Sequence, residues 1–235
     1  HAAMLVGAAF LLDDVREELP GRVLLVFQPA EEESPTGGAG PMMEAGVFDE
    51  HRPDTVFAQH VWPDLPVGKV GVRPGAMTGA SDRFEVVVRG RGGHASKPHK
   101  TVDAIVAANQ VINALQTIVG RDVDPLGSAV LTIGKIRGGE RYNAVAAEVT
   151  MEGTIRTFRP ETKERVKARF HAVVEGVAAA MEAEARIEYR DGYPAAINAP
   201  EWAGLVRASA RKLLGEEAAP ETEPSLGGED FGRAR

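Results

Sequence analysis

An α/β domain interrupted by a smaller α+β domain is the architecture the sequence predicts, and three observations predict it. Two continuous apolar runs, residues 22–28 and 55–61, are bounded by proline and turn residues, as buried parallel strands are. Near Met77 the pattern switches to apolar/polar alternation, the mark of half-buried strands. From there to residue 190 the order of elements reads β-α-β-β-α-β.

Residues 1–12 read as an apolar helix. The run Arg22-Val-Leu-Leu-Val-Phe-Gln28 lies between Pro20-Gly21 and Pro29 and reads as a buried strand. Residues 38–46 suit a short helix, and Thr55-Val-Phe-Ala-Gln-His-Val61 a second buried strand ending in the Pro63 to Pro66 turn. That βαβ pattern is what suggests the α/β layer. Residues 83–90 alternate, with Phe84, Val86 and Val88 on one face. Val102, Ile105, Val106, Ile112, Leu115 and Ile118 fall at helical spacing over 101–120. Residues 128–137 and 147–156 alternate again, joined through Gly138-Gly139. A long amphipathic helix follows over 161–182, with Pro160 suited to its start, then a strand over 185–190. This second set is a ferredoxin-like arrangement. The expected division is therefore residues 1–75 and 191–235 for the first domain and 76–190 for the inserted one, with a helix over 201–215 closed by Gly215. Residues 219–224 read as an acidic surface loop.

A chain of 235 residues with 43% hydrophobic and 26% charged residues can bury a sizeable core. A net charge of −7 argues against a nucleic-acid binder, whose footprint is basic. There is no cysteine, so no disulfide or thiolate metal site, and a cytoplasmic setting is expected. The apolar run Ala2 to Leu12 is too short to span a bilayer and lacks the flanks of a signal peptide, so no membrane partner is expected. A start at His1 without Met, and an end at Arg235 shortly after Gly-Gly-Glu-Asp-Phe, read as cut or missing ends.

Several residues could carry chemistry. Glu31, Glu32 and Glu33 follow the first apolar run, where carboxylates point into the ligand crevice of α/β proteins. Adjacent carboxylates there can divide metal ligation from proton transfer, or can be a solvated loop. His60 at the end of the second run offers an imidazole to a cation, or is structural. Gly90-Arg-Gly-Gly-His94-Ala-Ser96 displays His94 on a turn, where an N–H could hold an oxyanion or carboxylate; the alternative is a Gly-rich hairpin. Asn143 follows Gly138-Gly139, and Arg156 has the fork that suits a carboxylate or is simply a surface arginine. Gly227-Gly-Glu-Asp-Phe231 could cover a site or be a plain turn.

Taken together these strings resemble the co-catalytic metallopeptidases that include aminoacylases, hippurate hydrolases and indole-acetyl-amino-acid hydrolases. The strings are His1-Ala-Ala-Met-Leu-Val-Gly-Ala-Ala, Phe27-Gln-Pro-Ala-Glu-Glu32, His60-Val-Trp-Pro63, Gly90-Arg-Gly-Gly-His-Ala-Ser-Lys-Pro-His99, Arg156 within Gly-Thr-Ile-Arg-Thr-Phe, and Gly228-Glu-Asp-Phe231, in family order over essentially the whole chain. The resemblance implies a metallopeptidase-like α/β catalytic domain with an inserted lid and dimerisation domain. It implies Glu31 as general base, Glu32 and His60 as metal ligands, and His94, Asn143 and Arg156 as lid residues that hold the substrate's carboxylate and the oxyanion. It also implies two divalent metal ions (zinc, manganese, nickel or cobalt undistinguished), a homodimer through the lid, and hydrolysis of the amide bond of N-acyl amino acids. A dipeptidase or carboxypeptidase with the same site, or a non-catalytic binding or dimerisation protein with a degenerate metal site, are the rival implications. The family's first ligand segment, Cys-Gly-His-Asp-x-His, matches here only through its last residue, His1, which is not the usual ligand. With Glu32 and His60 alone of the family's ligands, weak or absent metal binding is expected of the chain.

Overall fold

Apolar alternation becomes strand, and apolar 3.6-residue spacing becomes helix, wherever the apolar side finds something to pack on. In the computed structural model, which describes residues 1–234, the order is α1 (Ala2–Asp14), α2 (Ala39–Glu44), β1 (Gly75–Thr78), β2 (Ala80–Arg89), β3 (Gly93–His94), α3 (Ala104–Thr117), β4 (Ala129–Gly138), β5 (Ala144–Val145), β6 (Glu148–Thr157), α4 (Pro160–Ala180), β7 (Glu184–Tyr193), β8 (Ala196–Asn198) and α5 (Pro200–Leu214). The chain is mixed α/β and forms two units. Unit 1 comprises His1–Met77, Ala196–Pro224 and the chain from Glu229 onward; unit 2 comprises Thr78–Ala195 and Ser225–Gly228.

Unit 2 is built on a four-stranded sheet in the order β4-β6-β2-β7, with every neighbouring pair antiparallel. Phe84, Val86 and Val88 of β2, and Val149, Met151 and Ile155 of β6, are buried on one face. Onto that face pack α3, through Ala104, Ala107, Ala108, Val111 and Leu115, and α4, through Val166, Phe170, Val174 and Ala178. The rings of Phe84 and Phe170 lie 4.6 Å apart, within the range where aromatic pairs attract. Asp103 starts α3, its carboxylate accepting from the N–H groups of Ile105 at 2.9 Å and Val106 at 3.3 Å. The opposite face of the sheet is charged: Arg83 pairs with Glu152 and Arg89 with Glu148, each at 2.8 Å. Glu152 also meets Lys135, and these two cations hold its carboxyl below the usual range.

Gly153 sits directly opposite Phe84 in the β2–β6 register. A Cβ there would lie 2.1 Å from the Thr132 carbonyl oxygen and 2.4 Å from Phe84 Cζ. Gly153→Ala is therefore expected to cost about 1–3 kcal/mol by overpacking, read as a lower midpoint in denaturant at unchanged slope.

At the end of β2 the pairing with β7 slips between Ser81 and Arg83. Asp82, 2% exposed, fills that irregularity. Its carboxylate accepts from Gly192 N at 2.9 Å, Lys163 Nζ at 3.0 Å and Tyr189 Oη at 2.8 Å. Lys163 also meets Asp191 at 3.1 Å, and Lys167 meets Asp191 at 2.6 Å. The segment 225–228 lies alongside: Ser225 bridges Thr78 in parallel fashion, and Gly79 N donates to Gly227 O at 3.0 Å.

Unit 1 has a thinner core of small residues, among them Ala39, Val72, Ala203, Ala210, Ala218 and Ala219. β1 pairs with β8; Asn198 Nδ2 donates to Arg73 O at 3.0 Å, and Val70 N to Ala218 O at 2.8 Å. Here the structure corrects two sequence expectations. Residues 22–30 and 55–62 carry no regular secondary structure, so among the described residues no parallel strand pair forms from them. Val23, Leu24, Phe27, Phe57 and Val61 are 41–60% exposed, and α1 has no buried residue. An apolar run encodes a demand for burial, but a strand exists only where a neighbour accepts its backbone hydrogen bonds, and these segments have none as a ladder. No helix among the described residues is long and apolar enough to cross a membrane.

Candidate active site

The site is built around a buried carboxylate. Asp230 is fully excluded from solvent. Its Oδ1 accepts from Gln28 Nε2 at 2.7 Å, and its Oδ2 from the backbone N–H groups of Gly38 at 2.8 Å and Ala39 at 2.9 Å. The turn into α2 thus supplies two of the donors that a buried anion needs. Gly38 is required by space: a Cβ would lie 1.7 Å from the Pro29 carbonyl oxygen.

The chain between Pro29 and Gly38 carries the acidic run. Ala30 holds φ at 58°, a left-handed conformation that is uncommon for a residue with a side chain and concentrates at functional sites. It turns the chain so that Glu31 joins Glu229 and Asp230, with one donor oxygen from each lying within 4.8 Å of the others. The crowding shows in protonation. Burial pushes Glu31 above the ordinary carboxylate range, the charges of Glu229, Glu32 and Asp230 add to the rise, and an N–H of Asp230 opposes it. Burial also raises Glu229, against the Phe231 N–H and the nearby His60 ring. Glu32 is exposed and stands outside the converging group.

His60 and His1 lie beside one another, ring centroids 4.2 Å apart. His60 Nδ1 lies 2.6 Å from the Val61 carbonyl oxygen. A carbonyl only accepts, so Nδ1 carries the proton and Nε2 keeps the lone pair that a metal ligand needs. In His1 the relevant atom is occupied: Nε2 accepts from Val61 N at 3.2 Å. Three carboxylates, with the His60 ring near Glu229 and its Nε2 lone pair available, form a donor set that fits a divalent cation, and a cation would offset the burial and mutual repulsion that raise Glu31 and Glu229.

Three residues singled out from the sequence lie in unit 2. His94 and Asn143 are neighbours: β3 pairs with β5, His94 opposite Ala144, and Ala95 N donates to Asn143 O at 3.1 Å. Both side chains are exposed. Arg156, on β6, donates through Nη1 to Leu226 O at 2.9 Å, so its fork ties down the segment 225–228. Glu229, Asp230 and Gln28 were not among the candidates. The signal for Glu229 and Asp230 was the Gly-Gly-Glu-Asp-Phe string, which looks like an ordinary turn until the buried carboxylate is seen, and Gln28 stands in the Phe27-Gln-Pro-Ala-Glu-Glu32 string.

Comparison with known proteins agrees with this chemistry. The profile of Peptidase family M20/M25/M40 matches residues 1–235. An N-acetyl-L-cysteine deacetylase of Bacillus subtilis is 45% identical over 231 residues, covering 98% of this chain and 54% of that protein. An N-acetyldiaminopimelate deacetylase of Priestia megaterium is 40% identical over 229 residues, covering 97% of this chain and 60% of that protein. Among solved structures, a Bacillus subtilis protein described as a dinuclear metal binding peptidase from M20 family superposes with a TM-score of 0.81 at 35% identity, over 99% of this chain and 58% of that one. The chain therefore spans between half and two thirds of the length of these relatives.

Proposed function

The chain belongs to peptidase family M20/M25/M40, and we propose that it serves metal-dependent hydrolysis of the amide bond of N-acyl amino acids. The observation that carries the reading is the carboxylate cluster in unit 1, where burial and then the neighbouring carboxylates raise Glu31 above the ordinary carboxylate range, the direction that suits a general base. Two divalent ions are proposed, held with Glu32 and with His60 through Nε2; when bound they supply Lewis-acid polarisation and make water acidic enough to be deprotonated.

In this reading Glu31 takes the proton from the attacking water and hands it to the amide nitrogen. The C–N bond then breaks, leaving a carboxylate and a free amino acid. Asp230, locked by Gln28 and the turn into α2, keeps the acidic wall in place. Unit 2 is proposed to be a ferredoxin-like lid, a reading supported by its element order and its β4-β6-β2-β7 strand order. Its His94 and Asn143 are assigned to the developing oxyanion and the substrate carboxylate, and Arg156 to the carboxylate. A homodimer through unit 2 belongs to the same proposal; the edge strand β4 leaves Val130 and Ile136 exposed at 41% and 54%. A second reading is favoured by the convergence of Glu31, Glu229 and Asp230, namely that Glu31 is itself a metal ligand.

The acyl group in the names of both relatives is acetyl, so N-acetyl amino acids are the substrates to test. Release of free amine from N-acetylcysteine in the presence of added zinc, manganese, cobalt or nickel is the expected result. No release with any of these metals, at metal concentrations shown by dialysis to load the protein, would overturn the proposal.

A further inference from the structure

We infer that Ser96 is a positioning residue for His94: it holds the ring in the tautomer with the proton on Nε2, so that His94 meets its ligand as a neutral N–H donor. His94 lies at the end of β3, exposed. Two residues on, Ser96 directs both of its donors at one ring atom. Its backbone N–H reaches His94 Nδ1 at 3.2 Å, and its Oγ lies 2.8 Å from the same nitrogen.

The backbone N–H decides the roles. It can only donate, so Nδ1 accepts and carries no proton in the neutral ring. The hydroxyl, free to rotate, then also donates to Nδ1. The only proton of the neutral imidazole is left on Nε2, the atom facing away from the turn. The local fold keeps this arrangement in place. Gly93 pairs with Val145 and His94 with Ala144, Lys97 N donates to His94 O at 2.9 Å, and Ala95 N donates to Asn143 O at 3.1 Å. Gly93 is held close to Thr101, whose Cγ2 would lie 2.7 Å from an added Cβ. The backbone at residues 93–97 is thereby pinned on both sides of the histidine.

His60 shows the opposite assignment, its Nδ1 bonded to a carbonyl and its Nε2 bearing a lone pair. One histidine is prepared to bind a cation and the other to donate to an anionic oxygen, and in both the choice is made by a backbone group one or two residues away. The catalytic meaning of this inference rests on the function proposed above; the tautomer does not.

The test therefore has two arms. In the first, the intact chain is labelled with ¹⁵N at histidine, and the ring shifts of the neutral imidazole are read. The expected result is protonated Nε2, with Nδ1 at the shift of a hydrogen-bonded acceptor. In Ser96→Ala, which keeps the backbone N–H and loses only the hydroxyl, the proton is expected to stay on Nε2 while the Nδ1 signal moves part of the way toward that of a free ring nitrogen, and in Ser96→Thr it is expected to stay near the wild-type value. A proton on Nδ1 in the wild type, or the same Nδ1 shift in Ser96→Ala as in the wild type, would overturn the inference. In the second arm, metal-supplied protein is assayed with N-acetylcysteine. Ser96→Ala is expected to lower kcat about 10-fold with little change in KM, and Ser96→Thr to restore it. A change confined to KM would overturn the positioning role. If the wild type releases no amine, the proposed function fails, and the tautomer is still decided by the first arm.

Discussion

Glu31→Gln is expected to lower kcat by about a thousandfold while leaving the amount of bound metal unchanged. The amide is isosteric with the carboxylate, so it preserves packing at the turn that follows Ala30, but it cannot accept a proton from water. General acid–base catalysis contributes roughly 10²–10⁴-fold, and a thousandfold loss falls in the middle of that range. The companion measurement separates the two roles open to this residue. As the base, Glu31 can be replaced without loss of metal, since the proposed ligands Glu32 and His60 remain. As a ligand within the trio of Glu31, Glu229 and Asp230, its replacement would weaken metal binding, and activity would return in part at higher metal concentration. Metal content after dialysis, measured beside kcat, decides between them.

Unit 2 was largely legible in the sequence because its partners are encoded as faces. Phe84, Val86 and Val88 alternate and Leu115 and Ile118 fall at helical spacing, and these faces find the next element of the same unit to bury them, although Ile105 and Val106 of the same helix remain exposed. In unit 1 the apolar runs at 22–28 and 55–61 stated equally clearly that they avoid water. They could not state what they pair with, and the structure leaves residues 22–30 and 55–62 without a ladder. The acidic site was half visible. Glu31 follows an apolar run, as site carboxylates often do, but nothing in a string of three glutamates says which one turns inward; the left-handed Ala30 does that. Asp230 was in view only as part of the Gly228-Glu-Asp-Phe231 string, and its role was hidden for a different reason. Its donors, Gln28 and Gly38, lie 202 and 192 residues away, and no local pattern marks a residue that will be wholly buried. Tautomers were equally out of reach, since His60 and His94 differ only in which backbone group happens to meet Nδ1.

Removing the buried carboxylate of unit 2 is expected to have the largest effect on stability. Asp82→Ala leaves Lys163, Tyr189 and the Gly192 N–H without their shared acceptor, and breaking one side of a buried ion pair costs about 3–5 kcal/mol. A melting point lower by on the order of 10 °C follows for a unit of this size. The sign of the pH dependence makes the test specific. Burial alone would lower the Lys163 pKa, but its bonds to Asp82 and then Asp191 outweigh burial and raise it. A lysine raised in the folded state contributes stability that is complete below its unfolded pKa, about 10.4, and lost as pH rises through the higher folded value. Asp191 behaves in the opposite sense. Lys167 and then Lys163 hold it below the usual range, so its contribution is present above about pH 4 and fades as pH falls through its depressed folded value. Tyr189, raised by burial and then by Asp82, remains a hydrogen-bond donor across this interval. The contribution of this cluster should therefore be flat between these limits and fall at both ends. In Asp82→Ala the folded pKa of Lys163 drops for want of its first partner, so the stability gap between variant and wild type should narrow as pH rises toward and past 10. A gap that stays constant from pH 7 to 11 in denaturant melts would show that Lys163 is not stabilised by Asp82, and that the carboxylate serves only Tyr189 and the Gly192 turn.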